Sequence, residues 1–150
     1  MQPPNTITTP PRRIEINVES DPAQIGSVRR AIEQFAADAG FTEKAQAEVG
    51  LCVNEALANI VRHAYSGVPG KPIAIAAECI ESQKPPACTL RVTIRDWGNG
   101  VDPDSLPPEP YDPLEPGGVG LLCLRQLMDD IIYARQPDGM LLTMIKRKTS

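Results

Sequence analysis

The 150-residue sequence holds a single histidine, His63, and its four cysteines, Cys52, Cys79, Cys88 and Cys123, include no C-x-x-C pair. This spacing argues against a zinc site, whose cysteines are commonly paired two to four residues apart. Each cysteine lies among apolar neighbours, the setting of a small buried hydrophobe. No apolar run approaches the roughly 20 residues that cross a bilayer, and the opening MQPPNTITTPPRR lacks the apolar segment of a secretory signal. Cations are in the minority, 15 Lys and Arg against 19 Asp and Glu. With a formal net charge of −4, the chain has little to offer nucleic acid, whose binding rests on clustered Lys and Arg. There is no P-loop ending in G-K-[ST], no dinucleotide fingerprint in a βαβ setting, and no internal repeat. These absences leave one soluble, cytoplasmic domain, with 41% hydrophobic residues to build its core.

Proline, by contrast, is abundant, with sixteen in the chain. Four fall within residues 1–11, which reads as a flexible tail, and six between Pro103 and Pro116, which marks a long internal loop. Between these segments the periodicities are clear. RRIEINV (12–18) alternates as a half-buried strand. Ser20 or Asp21 then caps a helix with Pro22 in its first turn, stopped by Gly40. Thr42 and Glu43 open a second helix that runs through VGLCVNEALANIVRHAY. PIAIAAECI (72–80) and CTLRVTIRD (88–96) alternate and are joined by the turn-rich ESQKPPA, as in a hairpin. VGLLCLRQLMDD (119–130) reads as a third helix, and IIYAR (131–135), PDG and MLLTMIKRK (140–148) as a closing hairpin. The order β-α-α-β-β-loop-α-β-β predicts a two-layer α/β sandwich, a mixed and mostly antiparallel sheet with helices on one face.

The second helix carries the first chemical signal. In NEALANIVRHAYSG (54–67) Glu55, Asn59 and His63 recur every four residues, so they form one slanting row. Val49, Cys52, Val53, Ala56, Leu57, Ile60 and Ala64 fill the adjacent arc, the natural core face. A row bordering the core suits the wall of a pocket, although a solvated stripe has the same spacing.

Two glycine boxes follow. RDWGNG (95–100) ends a strand with Asp96, Gly98 and Gly100. Such glycines let the backbone turn and approach a ligand, and an ionised Asp can accept from an exocyclic amine such as that of adenine. GGVGLL (117–122) places Gly117, Gly118 and Gly120 where the third helix opens, and free N–H groups and the dipole there favour phosphate. Neither box is specific alone.

Together and in this order, E-x-x-x-N-x-x-x-H, D-x-G-x-G, a long loop and a G-x-G helix start resemble the GHKL ATPases, the superfamily of gyrase, the heat-shock chaperones, MutL and the histidine kinases. NEALANIVRHAY and GVGLLCLRQLMDDI look most like the small serine/threonine kinases that act as anti-sigma factors (RsbW-type). The resemblance spans residues 12–148 and implies the Bergerat ATP-binding fold, with an ATP lid at about 101–117. It implies that Asn59 holds the Mg²⁺ bridging the phosphates of ATP, that Glu55 is the general base, and that Asp96 recognises adenine. By the same resemblance, Gly98 and Gly100 admit the nucleotide, Gly118, Gly120 and Leu121 meet its phosphates, and His63 supports the phosphate side or the lid. Trp97 and Tyr65 are read as packing. The implied partners are a STAS-domain anti-sigma factor antagonist, phosphorylated on Ser or Thr, a sigma factor that the chain sequesters, and a second copy in a homodimer.

The sequence departs from this family at two points. A Thr common after the glycine of the last hairpin is replaced by Met140, and Thr143 lies too far along to substitute. The lid segment VDPDSLPPEPYDPLEPG contains no Lys or Arg, and Pro116 stands where a basic residue would approach the terminal phosphate. Charge at that phosphate would then fall to Mg²⁺ or to a residue such as Arg62 or Arg125. These departures keep open a non-catalytic, nucleotide-sensing module that switches a protein partner, and a stand-alone ATPase domain serving a separate phosphotransfer partner.

Overall fold

The computed structural model describes residues 12–81, 88–98 and 120–148; the segments read as the N-terminal tail and the lid lie outside them. Alternation of Ile14, Ile16 and Val18 with polar residues produces strand β1 (Arg12–Glu19). Asp21 then caps α1 (Pro22–Asp38), its carboxylate accepting from the Ala23 N–H at 2.9 Å, with Pro22 in the first turn. Gly40, at φ +89°, turns the chain out of that helix. Thr42 caps α2 (Glu43–Asn59) by accepting from the Ala45 N–H at 3.1 Å.

The second helix does not stay α-helical to Tyr65 as its sequence periodicity predicts. From Ile60 to Ala64 it widens into a π turn, closed by the Tyr65 N–H on the Ile60 carbonyl, five residues back, at 3.0 Å. Strands β2 (Pro72–Glu81) and β3 (Cys88–Asp96) follow, then α3 (Gly120–Leu127), β4 (Asp130–Gln136) and β5 (Gly139–Arg147). The third helix is shorter than its sequence suggests, because the chain leaves it at Met128 and Asp129 to enter β4.

The sheet order is β1-β2-β3-β5-β4. Every pairing is antiparallel, so the mixed sheet allowed for by element order resolves to one pattern. Alternate residues of the strands, Ile73, Ile75 and Ala77 on β2 and Leu90, Val92 and Ile94 on β3, are buried beneath the helices. They meet Val28, Ile32 and Phe35 of α1 and Val49, Val53 and Leu57 of α2 in one core, each large aliphatic side chain contributing about 1.5–3 kcal/mol by its burial. Lys146 ties the layers at their edge, donating to the Leu127 carbonyl at the end of α3 and lying 3.6 Å from the Glu48 carboxylate of α2.

The cysteines correct the sequence reading. Cys79 and Cys88 are buried, but as a disulfide with Cα atoms 6.3 Å apart across the β2–β3 hairpin. The register makes this possible: Cys79 is opposite Leu90 and Glu81 opposite Cys88, so the two cysteines are diagonal neighbours on the inner face. Cys52 is buried and takes no part in the disulfide, as its apolar context implied.

Candidate functional site

Asp96 is the last residue of β3, and strand register decides its surroundings. Ile73 of β2 is its cross-strand neighbour on one side and Met140 of β5 on the other, both buried. A carboxylate between two apolar side chains loses solvation, and Asp96 is only 2% exposed. Burial raises its pKa above the ordinary 3.8, opposed by the Gly98 N–H, which donates to Oδ1 at 3.0 Å, and by the charge of Arg95. One oxygen thus carries a backbone donor, and the carboxylate retains acceptor capacity for a ligand amine. Met140 occupies the position where the resemblance anticipates a hydroxyl, and it walls the carboxylate.

Glu55 and Asn59 lie on the last turns of α2, and both are buried, at 3% and 6% exposure. The row inferred at the edge of the core is thus drawn inside it. Polar groups of this kind are retained in a core only where partners or a ligand satisfy them. His63 falls in the π turn and is half-buried, so the three-residue row is not a uniform α-helical stripe. Arg62 stands beside it, and its Nη2 donates to the Asn59 amide oxygen at 3.4 Å.

The end of the helix and the end of β3 are joined directly. The Tyr65 hydroxyl donates to the Pro72 carbonyl at 2.5 Å and accepts from the Trp97 N–H at 2.8 Å, with burial the main cause of its raised pKa. Gly98 lies so close to the π turn that a Cβ would stand 2.4 Å from the Ala64 carbonyl oxygen. Its missing side chain is therefore required by the protein itself, before any ligand arrives. On the sheet side, Arg95 donates to the Asp96 carbonyl, pairs with Asp138 of the β4–β5 turn and stacks on Trp97 at 4.7 Å. A Cβ on Gly139 would collide with that same Asp96 carbonyl, at 2.0 Å.

The structure therefore brings Glu55 and Asn59 onto one wall and Asp96 and Gly98 onto the other, with α3 packed against α2. Gly120 is the first residue of α3 and Leu121 follows it. Gly100, Gly118 and the lid lie outside the described residues. Tyr65 has a larger part than the packing inferred for it, its hydroxyl joining the two walls, and Trp97 is 42% exposed and so is not core packing. The signal for Tyr65 was its place at a helix end, within reach of a strand end. Among the described residues no group of three or more His, Cys, Asp or Glu is placed to hold a metal ion. Asn59 supplies one buried amide oxygen; a hard cation that keeps water and phosphate ligands fits such a sparse donor set. No helix among the described residues is long and apolar enough to cross a membrane.

Comparison with known proteins is consistent with this arrangement. A family model described as a histidine kinase-like ATPase domain matches residues 18–146. A serine-protein kinase RsbW of Oceanobacillus iheyensis is 30% identical over 141 residues, 89% of this chain and 85% of the relative. The serine-protein kinase RsbW of Bacillus subtilis is 28% identical over 126 residues, 79% and 75% of the two chains. Among solved structures, the RsbU and RsbW domains of Rv1364c from Mycobacterium tuberculosis share the fold, with a TM-score of 0.66 at 17% identity over 93% of this chain and 33% of that one.

Proposed function

We propose, from the premise that this chain belongs to the histidine kinase-like ATPase family on its RsbW-like branch, that it is an ATP-dependent protein serine/threonine kinase of the anti-sigma type. The observation that carries the proposal is the pairing of two buried polar walls, Glu55 and Asn59 on α2 and Asp96 at the end of β3, clamped by Tyr65 and by the close approach at Gly98.

In this reading Asp96 accepts a hydrogen bond from the adenine amine while its other contact, from the Gly98 N–H, holds the carboxylate in place. Asn59 offers its amide oxygen to Mg²⁺, which when bound neutralises charge on the phosphates. Glu55, desolvated in the core, accepts the proton of a partner serine or threonine hydroxyl. Gly98 and Gly100 admit the nucleotide, Gly118 and, at the start of α3, Gly120 and Leu121 meet its phosphates, and His63 supports the phosphate side. The segment at about 101–117 is read as the ATP lid from its place in the sequence. The phosphoacceptor is a STAS-class antagonist, the second partner is a sigma factor, and the working unit is a cytoplasmic homodimer. The names of the relatives support a serine-protein kinase; the partners rest on the family resemblance of NEALANIVRHAY and GVGLLCLRQLMDDI.

The test is incubation with γ-labelled ATP and the candidate antagonist, alongside calorimetry of ATP binding. Label on an antagonist serine or threonine, lost in Glu55→Gln, is the expected result. The second reading, a non-catalytic nucleotide sensor, draws on the cation-free lid sequence and on Met140 beside Asp96. Nucleotide-dependent partner binding that is unchanged in Glu55→Gln, with no labelled product, would establish that reading and overturn kinase activity.

A further inference from the structure

We infer that Arg95 is a positioning residue for base recognition, setting the Asp96 carboxylate and the wall beside it from the opposite face of the sheet. The inference deepens the kinase reading and rests on it for the role of Asp96 towards adenine.

The first support is geometric. Strand alternation turns Asp96 towards the helices and Arg95 to the outer face, between Ala74 of β2 and Leu141 of β5. The Arg95 side chain does not extend into solvent there and is only 20% exposed. Its Nη1 donates to the Asp96 carbonyl, its Nη2 pairs with Asp138, and its guanidinium carbon lies 4.7 Å from the centre of the Trp97 ring. Asp138 is 64% exposed, and ion pairs with so open a partner contribute little, so that pair alone does not account for withdrawing the guanidinium from water. All three contacts converge on the end of β3. They fix the Asp96 backbone and tie it to the β4–β5 turn that leads into Met140, the residue walling the carboxylate on the inner face. Gly139 fits the same arrangement: at φ +151°, a Cβ there would collide with both the Asp96 carbonyl and Arg95 Nη1. The turn is thus pressed onto the bond that Arg95 makes.

The second support is electrostatic. Burial between Ile73 and Met140 raises the Asp96 pKa, and the Gly98 N–H and the charge of Arg95 oppose that rise. Tyr65, at the end of the π turn, is the other titratable group in these surroundings, and its own pKa is raised, chiefly by burial, so it stays neutral. Asp138 faces Arg95 from the β4–β5 turn and partly offsets its charge. A carboxylate that accepts from a base amine must be ionised, and Arg95 supplies positive charge that favours this form.

The test is calorimetric titration with ATP over a pH series from about 5 to 8, on wild type, Arg95→Gln, Arg95→Lys and Asp138→Asn. Titration of the ATP phosphates is common to all these proteins and cancels in the comparison. Affinity should fall as acid protonates Asp96. The midpoint of that fall should move to higher pH in Arg95→Gln and to lower pH in Asp138→Asn, which leaves the Arg95 charge uncompensated. Arg95→Lys keeps the charge and should restore the midpoint. It lacks the planar fork, so near neutral pH its affinity should stay about threefold below wild type, against about 10- to 30-fold for Arg95→Gln. An ion pair that only stabilises the β4–β5 turn would lower Tm in Arg95→Gln and Asp138→Asn alike, with affinity and midpoint as in wild type. That result overturns the role of Arg95 and leaves the kinase reading intact. If Arg95→Gln does not fold, an unmoved midpoint in Asp138→Asn together with wild-type affinity in Arg95→Lys overturns it equally. Failure of wild type to bind ATP at any pH, with or without Mg²⁺, overturns both.

Discussion

Gly98→Ala offers a test of how the two walls are held. In the folded chain the new methyl group would lie 2.4 Å from the Ala64 carbonyl oxygen, 2.8 Å from its carbon and 2.9 Å from Tyr65 Cδ1. Ordinary contacts between such atoms lie near 3.5 Å, so the end of β3 and the π turn must separate by roughly 1 Å. Backbone supplies two of the three obstacles, and no flexible side-chain end can move aside. Overpacking of this kind costs about 1–3 kcal/mol. The 2.8 Å bond from the Trp97 N–H to the Tyr65 hydroxyl would be stretched beyond useful length, adding about 1 kcal/mol. The sum, about 2–4 kcal/mol, corresponds to a Tm lowered by roughly 5–12 °C in a domain of this size. The same displacement moves Asp96 relative to Asn59, and ATP affinity should fall by at least about tenfold because charge-assisted hydrogen bonds tolerate little misplacement. Gly67→Ala is the control: φ is +78° and nothing lies within 4 Å of its Cβ, so it should lower Tm by conformational strain alone and leave ATP affinity unchanged. Thermal melts and calorimetry on both variants decide the matter. If Gly98 served only the approach of nucleotide, the melting of ligand-free Gly98→Ala would match wild type and affinity alone would fall. That outcome would refute the reasoning.

Two further outcomes follow from the same geometry. Asp96 has a folded pKa raised above 3.8 by burial, so the fold prefers its neutral form; the associated stability is complete below pH 3.8 and is lost as pH rises through the folded value. Asp96→Asn should therefore stabilise the ligand-free protein at pH 7 and lose that advantage in acid, while weakening ATP binding by at least about tenfold. Urea unfolding of both proteins at the two pH values checks the sign, and a destabilised Asp96→Asn at pH 7 would contradict it. The Cys79–Cys88 bond closes a short loop, with a sequence separation of 9, for which loop-closure entropy gives about 2.5–3 kcal/mol. Melting with and without reductant should differ accordingly, and thiol counting on the unfolded, unreduced protein should find at most two of the four cysteines free.

What could be read in the sequence divides along a physical line. The strands and helices follow periodicity, a property of a few consecutive residues, so β2 and β3 fall within a residue of the alternating segments that predict them. Glu55 and Asn59 were legible because one helix carries both and its apolar arc fixes which way they lean. Everything that depends on register was hidden. Cys79 and Cys88 look like separate buried hydrophobes until the hairpin register makes them diagonal neighbours. The raised pKa of Asp96 depends on Ile73 and Met140, residues distant in sequence that become adjacent only when three strands align. The π turn was hidden for a similar reason. Ile60 to Ala64 is locally an ordinary apolar helix, and what accompanies its altered bonding is Tyr65, tied at once to Pro72 and Trp97. The glycine at 98 was noticed for its spacing as room for a ligand, and the fold adds a demand the spacing did not show, since a Cβ there would meet the Ala64 carbonyl. A short motif thus names which groups can do chemistry, whereas the distance between those groups is set by contacts such as Tyr65–Trp97 and Gly98–Ala64, which belong to the fold.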